Sequence, residues 1–193
     1  MLRRYRLALG LWVCGVVMVF VAFISASIVR RGIPAYQAGA GAYSTQWESL
    51  PLPIPLLVLD TCILILGCLS LELARRRSGV ASSQPLVRQG MSPWIYSATA
   101  LGVAFLAGQA MVWRLLQAHG LVMSTSARVA FFYLLTGTHA IQIVIGVLVL
   151  IWIVARQTKW TAAGRYIAVD LATWYFSAMA ALWIVLFCFL VFA

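Results

Sequence analysis

The chain has 193 residues, 64% of them hydrophobic and only 9% charged, with a mean hydropathy of +0.98. A soluble domain carries about a quarter of its residues as charges, so this composition excludes one and points to a membrane-embedded protein. The net charge of +10 would suit a nucleic-acid binder, but the basic residues cluster at the ends of apolar runs, which makes them a topological signal and argues for no nucleic-acid partner.

Five apolar runs are long enough to cross a hydrocarbon layer about 30 Å thick, given about 1.5 Å of rise per residue. They cover roughly residues 7–29, 50–74, 93–118, 127–155 and 163–192 and predict an all-α integral membrane protein, residues 1–193 forming one bundle of five transmembrane helices. The first run follows MLRRYR and is longer than the about 7–15 residues of a signal-peptide core, so it is expected to remain as the first helix. RRGIPAYQAGAGAYSTQWESLPLPIP, rich in Gly, Ala, Pro and Ser, predicts an irregular outer loop.

The second run, PLPIPLLVLDTCILILG, places Asp60 roughly 10 Å below its outer entry. An intramembrane carboxylate is a functional hypothesis by default. A capping or interhelical hydrogen bond, with Asp60 either ionised or protonated, has equal standing. Glu72 precedes Arg75 and Arg76 by three and four residues, the spacing of helical ion pairs. RRRSGVASSQPLVRQGMSP then reads as a solvated loop.

In the third run Ala100, Ala104 and Gly108 recur every four residues, with Ala98 and Gly102 beside them, a pattern that lets membrane helices approach closely. Gln109 and Arg114 follow toward the outer end. The fourth run carries Thr136, His139, Gln142 and Gly146 on one stripe, while Leu134, Ile141, Ile145 and Leu148 form an aliphatic stripe suited to lipid. A polar group facing hydrocarbon costs several kcal/mol, so the His139 stripe is expected to face protein. The fifth run repeats the pattern with Asp170, Thr173, Trp174, Ser177 and Ala181, Asp170 lying where water, Arg165 or another helix can satisfy it.

Arg3, Arg4 and Arg6, then Arg75, Arg76, Arg77 and Arg88, then Arg156, Lys159 and Arg165 fall on one side if the helices alternate. The positive-inside rule makes that side cytoplasmic, with the N-terminus inside and the C-terminus outside. Cys14, Cys62, Cys68 and Cys188 all lie within spans without a CxxC pair, and are read as small hydrophobes.

His139 has four candidate roles: haem ligand, metal ligand, proton relay or interhelical hydrogen bond. A bis-imidazole haem needs a second histidine at the same depth, and the only other, His119, sits near the outer end of the third run. A metal site wants three or four convergent ligands, and a relay wants titratable neighbours, whereas Gln142 does not titrate. The hydrogen bond, worth about 1–2 kcal/mol in membrane helices, is the favoured reading. No phosphate-binding glycine loop, zinc motif or nucleophile elbow is present. A small transporter or proton-conducting protein is the alternative class, though it would need convergent midplane polar groups or inverted repeats.

Several stretches together resemble subunit III of the haem-copper terminal oxidases in its short, five-helix form. They are PLPIPLLVLDTCILILGCLSLELARRR, LGVAFLAGQAMVW, FFYLLTGTHAIQIVIG and DLATWYFSAMAALW. The most specific cores are Thr136, Gly137 and His139, and Asp170, Trp174 and Tyr175. The chain departs from the family pattern chiefly at ionisable positions. Asp60 stands where Asn usually precedes Thr61, Gln142 replaces a second His, and Val112 replaces an acidic residue before Trp113. Ser177 and Ala180 replace a His and an Asp, Asp170 stands in for Glu, and Val16, Val17 and Met18 offer no carboxylate.

The resemblance implies an accessory subunit of an oxygen-reducing cytochrome c or quinol oxidase in the inner (cytoplasmic) membrane, packed against catalytic subunit I. It also implies bound structural phospholipid, haem and copper held by partner chains, and a weakened part in proton entry. It assigns this chain no catalytic, cofactor-binding or metal-ligating residue. Asp60, Thr61, Gln109, Thr136, His139, Gln142, Asp170, Trp174, Tyr175 and Ser177 are expected as polar and interface fasteners.

Overall fold

The computed structural model describes residues 2–33, 35–37, 42–44, 52–83, 93–156 and 161–192. Five helices make up the body: α1 (Leu2–Gly32), α2 (Ile54–Ser83), α3 (Pro93–Ala118), α4 (Ala127–Arg156) and α5 (Ala162–Phe192). All five are long and apolar enough to cross a membrane. Between α1 and α2 the expected irregular loop contains a short antiparallel pair, β1 (Ala35–Gln37) and β2 (Ala42–Ser44), with Tyr36 opposite Tyr43. The rest of that loop, Lys159, and residues 84–92 of the connection between α2 and α3 lie outside the described residues.

The helix ends follow local chemistry. α2 starts four residues later than its apolar run suggests, because Pro53 and Pro55 suit a first helical turn and hand the Pro53 carbonyl to the amides of Leu56 and Leu57. It also continues past residue 74, where Glu72 accepts from Arg75 and Arg76 and holds the last turns together. α3 ends in a Schellman turn: the Leu121 amide donates to the Leu116 carbonyl and the Gly120 amide to that of Gln117. Gly120 occupies the left-handed region with φ of 75°, which glycine adopts without strain. Ser126 caps α4 by accepting from the Val129 amide, and Thr161 caps α5 by accepting from that of Gly164.

α2, α3, α4 and α5 form a ring in which α2 and α4 each pack against both α3 and α5. α1 lies outside the ring against α4 and α5. Its contribution to the buried interior is small, namely Val16, Phe20 and Ser27. The core is a column of large apolar groups, among them Leu57, Phe105, Phe132, Leu135, Ile143, Met179, Trp183 and Leu186.

Two expected faces turn differently. On α3 the buried stripe is Ile95, Ala98, Gly102, Phe105, Gln109 and Val112, while Ala100 and Ala104 point outward. The close approach therefore uses Gly102, against Val147, and Gly108, whose missing side chain leaves room for the Asp60 carboxyl group. On α5 Asp170 and Thr173 are buried, but Trp174, Ser177 and Ala181 face outward, and the interior side is lined by Tyr175, Phe176, Met179 and Trp183. Both misreadings have one cause: on a helix that is apolar all round, small and weakly polar residues do not mark the inner face.

Candidate functional site

Polar contacts tie the ring together at three levels. The same device occurs twice: an indole N–H donates to a threonine hydroxyl, which itself donates back to the carbonyl four residues earlier. Trp183 Nε1 donates to Thr61 Oγ1 at 2.9 Å, and Thr61 donates to the Leu57 carbonyl at 2.8 Å. Trp113 Nε1 donates to Thr136 Oγ1 at 3.1 Å, and Thr136 donates to the Phe132 carbonyl at 2.7 Å. Each hydroxyl thereby satisfies both its donor and its acceptor role, which matters where water is scarce. Tyr175 lies with its hydroxyl 2.8 Å from the Gln142 backbone carbonyl and 3.1 Å from Gln142 Oε1, so that α5 donates to α4. Thr173 Oγ1 donates to the carbonyl of Val169.

Asp170 sits at the N-terminal end of the bundle with its side chain fully buried. Arg6 of α1 grips it in a fork, Nε to Oδ2 at 2.9 Å and Nη2 to Oδ1 at 2.8 Å, and Arg75 of α2 adds a longer contact of 3.4 Å. Arg75 also donates to Glu72 at 2.8 and 2.9 Å. One chain of ion pairs thus connects α1, α5 and α2. The guanidinium of Arg6 additionally lies 5.7 Å from the ring of Trp174, which gives that outward-facing indole a contact. Arg6 is a partner that pattern reading missed, because nothing in sequence links residues 164 positions apart.

His139 departs most from expectation. It is fully buried, yet neither ring nitrogen has a hydrogen-bond partner among the described residues. Instead the imidazole lies at 30° to the Trp183 ring with centroids 5.1 Å apart, and meets Phe105 at 5.9 Å and Phe20 at 6.4 Å edge to face. The expected interhelical hydrogen bond is therefore replaced by an aromatic box drawn from α1, α3 and α5. His139 is buried within α4 whereas His119 is exposed in the turn after α3, so the two histidines do not form a bis-imidazole pair. Because a buried polar atom without a partner costs about 1–3 kcal/mol, an apolar ring of similar size loses nothing by replacing it. His139→Phe is expected to retain or raise the thermal stability of the subunit; a drop of more than about 2 kcal/mol, as large as a lost buried hydrogen bond, would show that the imidazole has a partner in the assembled complex.

At the same end of the bundle, an apolar groove of about 720 Å³ opens between α1, α4 and α5. Leu9 and Trp12 line it from α1, Ile145 and Trp152 from α4, and Ala168 and Tyr175 from α5. Gly146 forms part of its floor, where the rings of Tyr175 and Phe176 press against the bare backbone. Among the described residues, no three His, Cys, Asp or Glu side chains gather as a metal site would require.

These five apolar helices, joined inside by hydrogen bonds and capped at one end by ion pairs, define a multi-pass membrane protein. Residues 2–193 match the family described as cytochrome c oxidase subunit III, and the chain belongs to that family. It is 28% identical over 171 residues to cytochrome c oxidase subunit 3 of Thermostichus vulcanus, covering 86% of this chain and 81% of the relative. It is 27% identical over 151 residues to cytochrome c oxidase subunit 3 of Corynebacterium diphtheriae, covering 77% and 70%. The probable cytochrome c oxidase subunit 3 of Mycobacterium tuberculosis is 30% identical over 100 residues, covering 51% of this chain and 49% of that protein. Membership displaces the alternative of a transporter unrelated to an oxidase.

Proposed function

We propose that this chain is the accessory, non-redox subunit III of a respiratory haem-copper oxidase in the inner (cytoplasmic) membrane, where it steadies catalytic subunit I and holds structural phospholipid. Haem and copper belong to partner chains. In this orientation the N-terminus and the Asp170 ion pairs face the cytoplasm, in keeping with the arginine-rich segments on that side.

The observation that carries the reading is the groove between α1, α4 and α5. It has the size and lining for acyl chain and is bordered by the indoles of Trp12 and Trp152. Beside it the aliphatic flank of Leu134, Ile141, Ile145 and Leu148 is exposed and free of charge, and serves as the face toward subunit I. A direct proton relay is poorly supported, since the Asp170 side chain is engaged by arginines and His139 is enclosed by rings.

Purification of the complex tests this. The chain should copurify in equal amount with haem-bearing subunits, and the separated polypeptide should show no haem absorption. Ala168→Trp, which fills the groove, should leave the oxidase assembled while lowering the phospholipid retained after mild delipidation by about one molecule per complex. An unchanged lipid count would remove the groove from the proposal.

A further inference from the structure

Asp60 is a carboxyl group inside the membrane with an unusual set of neighbours. Only 1% of it is exposed, and so is only 1% of Gln109, its partner on α3. Asp60 Oδ2 lies 2.6 Å from the amide Nε2 position of Gln109, while Asp60 Oδ1 and Gln109 Oε1 have no donor among the described residues. Asp60 also takes part in none of the ion pairs among those residues. α3 meets it with Gly108 and Gln109, and α5 reaches the neighbouring Thr61 through Trp183; none of these side chains ionises near neutral pH.

An ionised carboxylate in this position would hold a full charge away from water on a single hydrogen bond. Charges are tolerated in such places when they are paired and surrounded by donors, as Asp170 is at the other end of the bundle. The contact length carries a second message. A hydrogen bond from nitrogen to oxygen spans about 2.7–3.2 Å, whereas one between two oxygens centres on about 2.7–2.8 Å and reaches 2.5 Å. At 2.6 Å the contact belongs to the second kind. A half-turn of the Gln109 amide exchanges its oxygen and nitrogen in place, and sets the carbonyl oxygen opposite Asp60 Oδ2.

We propose that Asp60 is a neutral carboxylic acid that donates its proton to the side-chain carbonyl of Gln109, so that the contact between α2 and α3 is a proton-holding site inside the membrane. Gly108 is what makes the site fit: a methyl group there would collide with the carboxyl, so the acid packs directly on the α3 backbone. The proton has no titratable neighbour to pass to among those groups, which makes the site a store and a fastener and no part of a relay.

Infrared spectroscopy of the intact, detergent-purified oxidase tests this, using the difference between the unmodified complex and one carrying Asp60→Asn. Asparagine matches the neutral acid in shape and can donate to the same carbonyl. The expected difference is the loss of one protonated-acid carbonyl band per complex near neutral pH, shifted when aspartate is labelled with carbon-13. In Gln109→Leu the band should persist and move to higher frequency as its hydrogen bond is released. Loss of carboxylate bands in place of the acid band would overturn the proposal. So would failure of Asp60→Asn to assemble, because a neutral isostere should be accepted, or a band unmoved by Gln109→Leu.

Discussion

Trp183→Ala is expected to be among the most damaging truncations in the bundle, destabilising the subunit by about 3 kcal/mol or more. The indole is completely buried, stands edge-on to Phe105 at 5.2 Å and lies against His139, while its N–H fastens α5 to Thr61 of α2. Truncation of a buried aromatic costs about 3–5 kcal/mol in a soluble core, part of it transfer from water and part the cavity left behind. Within a membrane the helices stay in lipid when they separate, so the transfer part shrinks and the cavity part remains. Trp183→Phe weighs the two contributions, since it keeps most of the volume and gives up the hydrogen bond, about 0.6–1.7 kcal/mol on the scale of membrane proteins. Unfolding in detergent titrated with a denaturing surfactant measures both variants. If Trp183→Phe proved as harmful as Trp183→Ala, the bond to Thr61 would matter more than the packing.

The second large effect concerns the fork between Arg6 and Asp170. Arg6→Ala is expected to loosen α1, because among the described residues the buried carboxylate then keeps only the longer contact to Arg75. The rest of that helix's hold on the ring is apolar, from the buried Val16 and Phe20 and the half-buried Leu9, Val13, Phe23 and Ile24. Losing two charge-assisted hydrogen bonds should shift the docking equilibrium by more than about tenfold. Arg6→Lys should fall between, since an ammonium offers a point charge where the guanidinium offers two parallel donors. Limited proteolysis of the first connection and the lipid content of the neighbouring groove are the readouts. A helix that stayed protected in Arg6→Ala would mean that the apolar contacts or a partner subunit, and not the fork, hold α1 in place.

Much of the architecture was legible before any coordinates. Uninterrupted apolar runs have one stable form in lipid, the helix with every backbone group bonded within its own segment, and the ends of α3, α4 and α5 lie within a residue of where the hydropathy places them. The pairing of Glu72 with Arg75 and Arg76 was legible for a similar reason, because residues three and four apart must be neighbours on a helix.

What faced what was less legible. Water does not sort the faces of a helix in lipid, so Ala100, Ala104, Trp174 and Ser177 turn outward although their spacing suggested an interior stripe. His139 shows the same limit in another way. Its depth was evident, but whether it meets a donor or a set of rings depends on Phe20, Phe105 and Trp183 arriving from three other helices.

By itself the sequence determined five membrane-crossing helices and the local ion pairs, because those depend on neighbours within about four residues and on the solvent. Only the tertiary structure decided that Arg6 belongs to Asp170, Trp183 to Thr61 and Gln109 to Asp60. Those pairs join residues 164, 122 and 49 positions apart, and the rotation of each helix about its own axis, which brings them together, is set by packing shape.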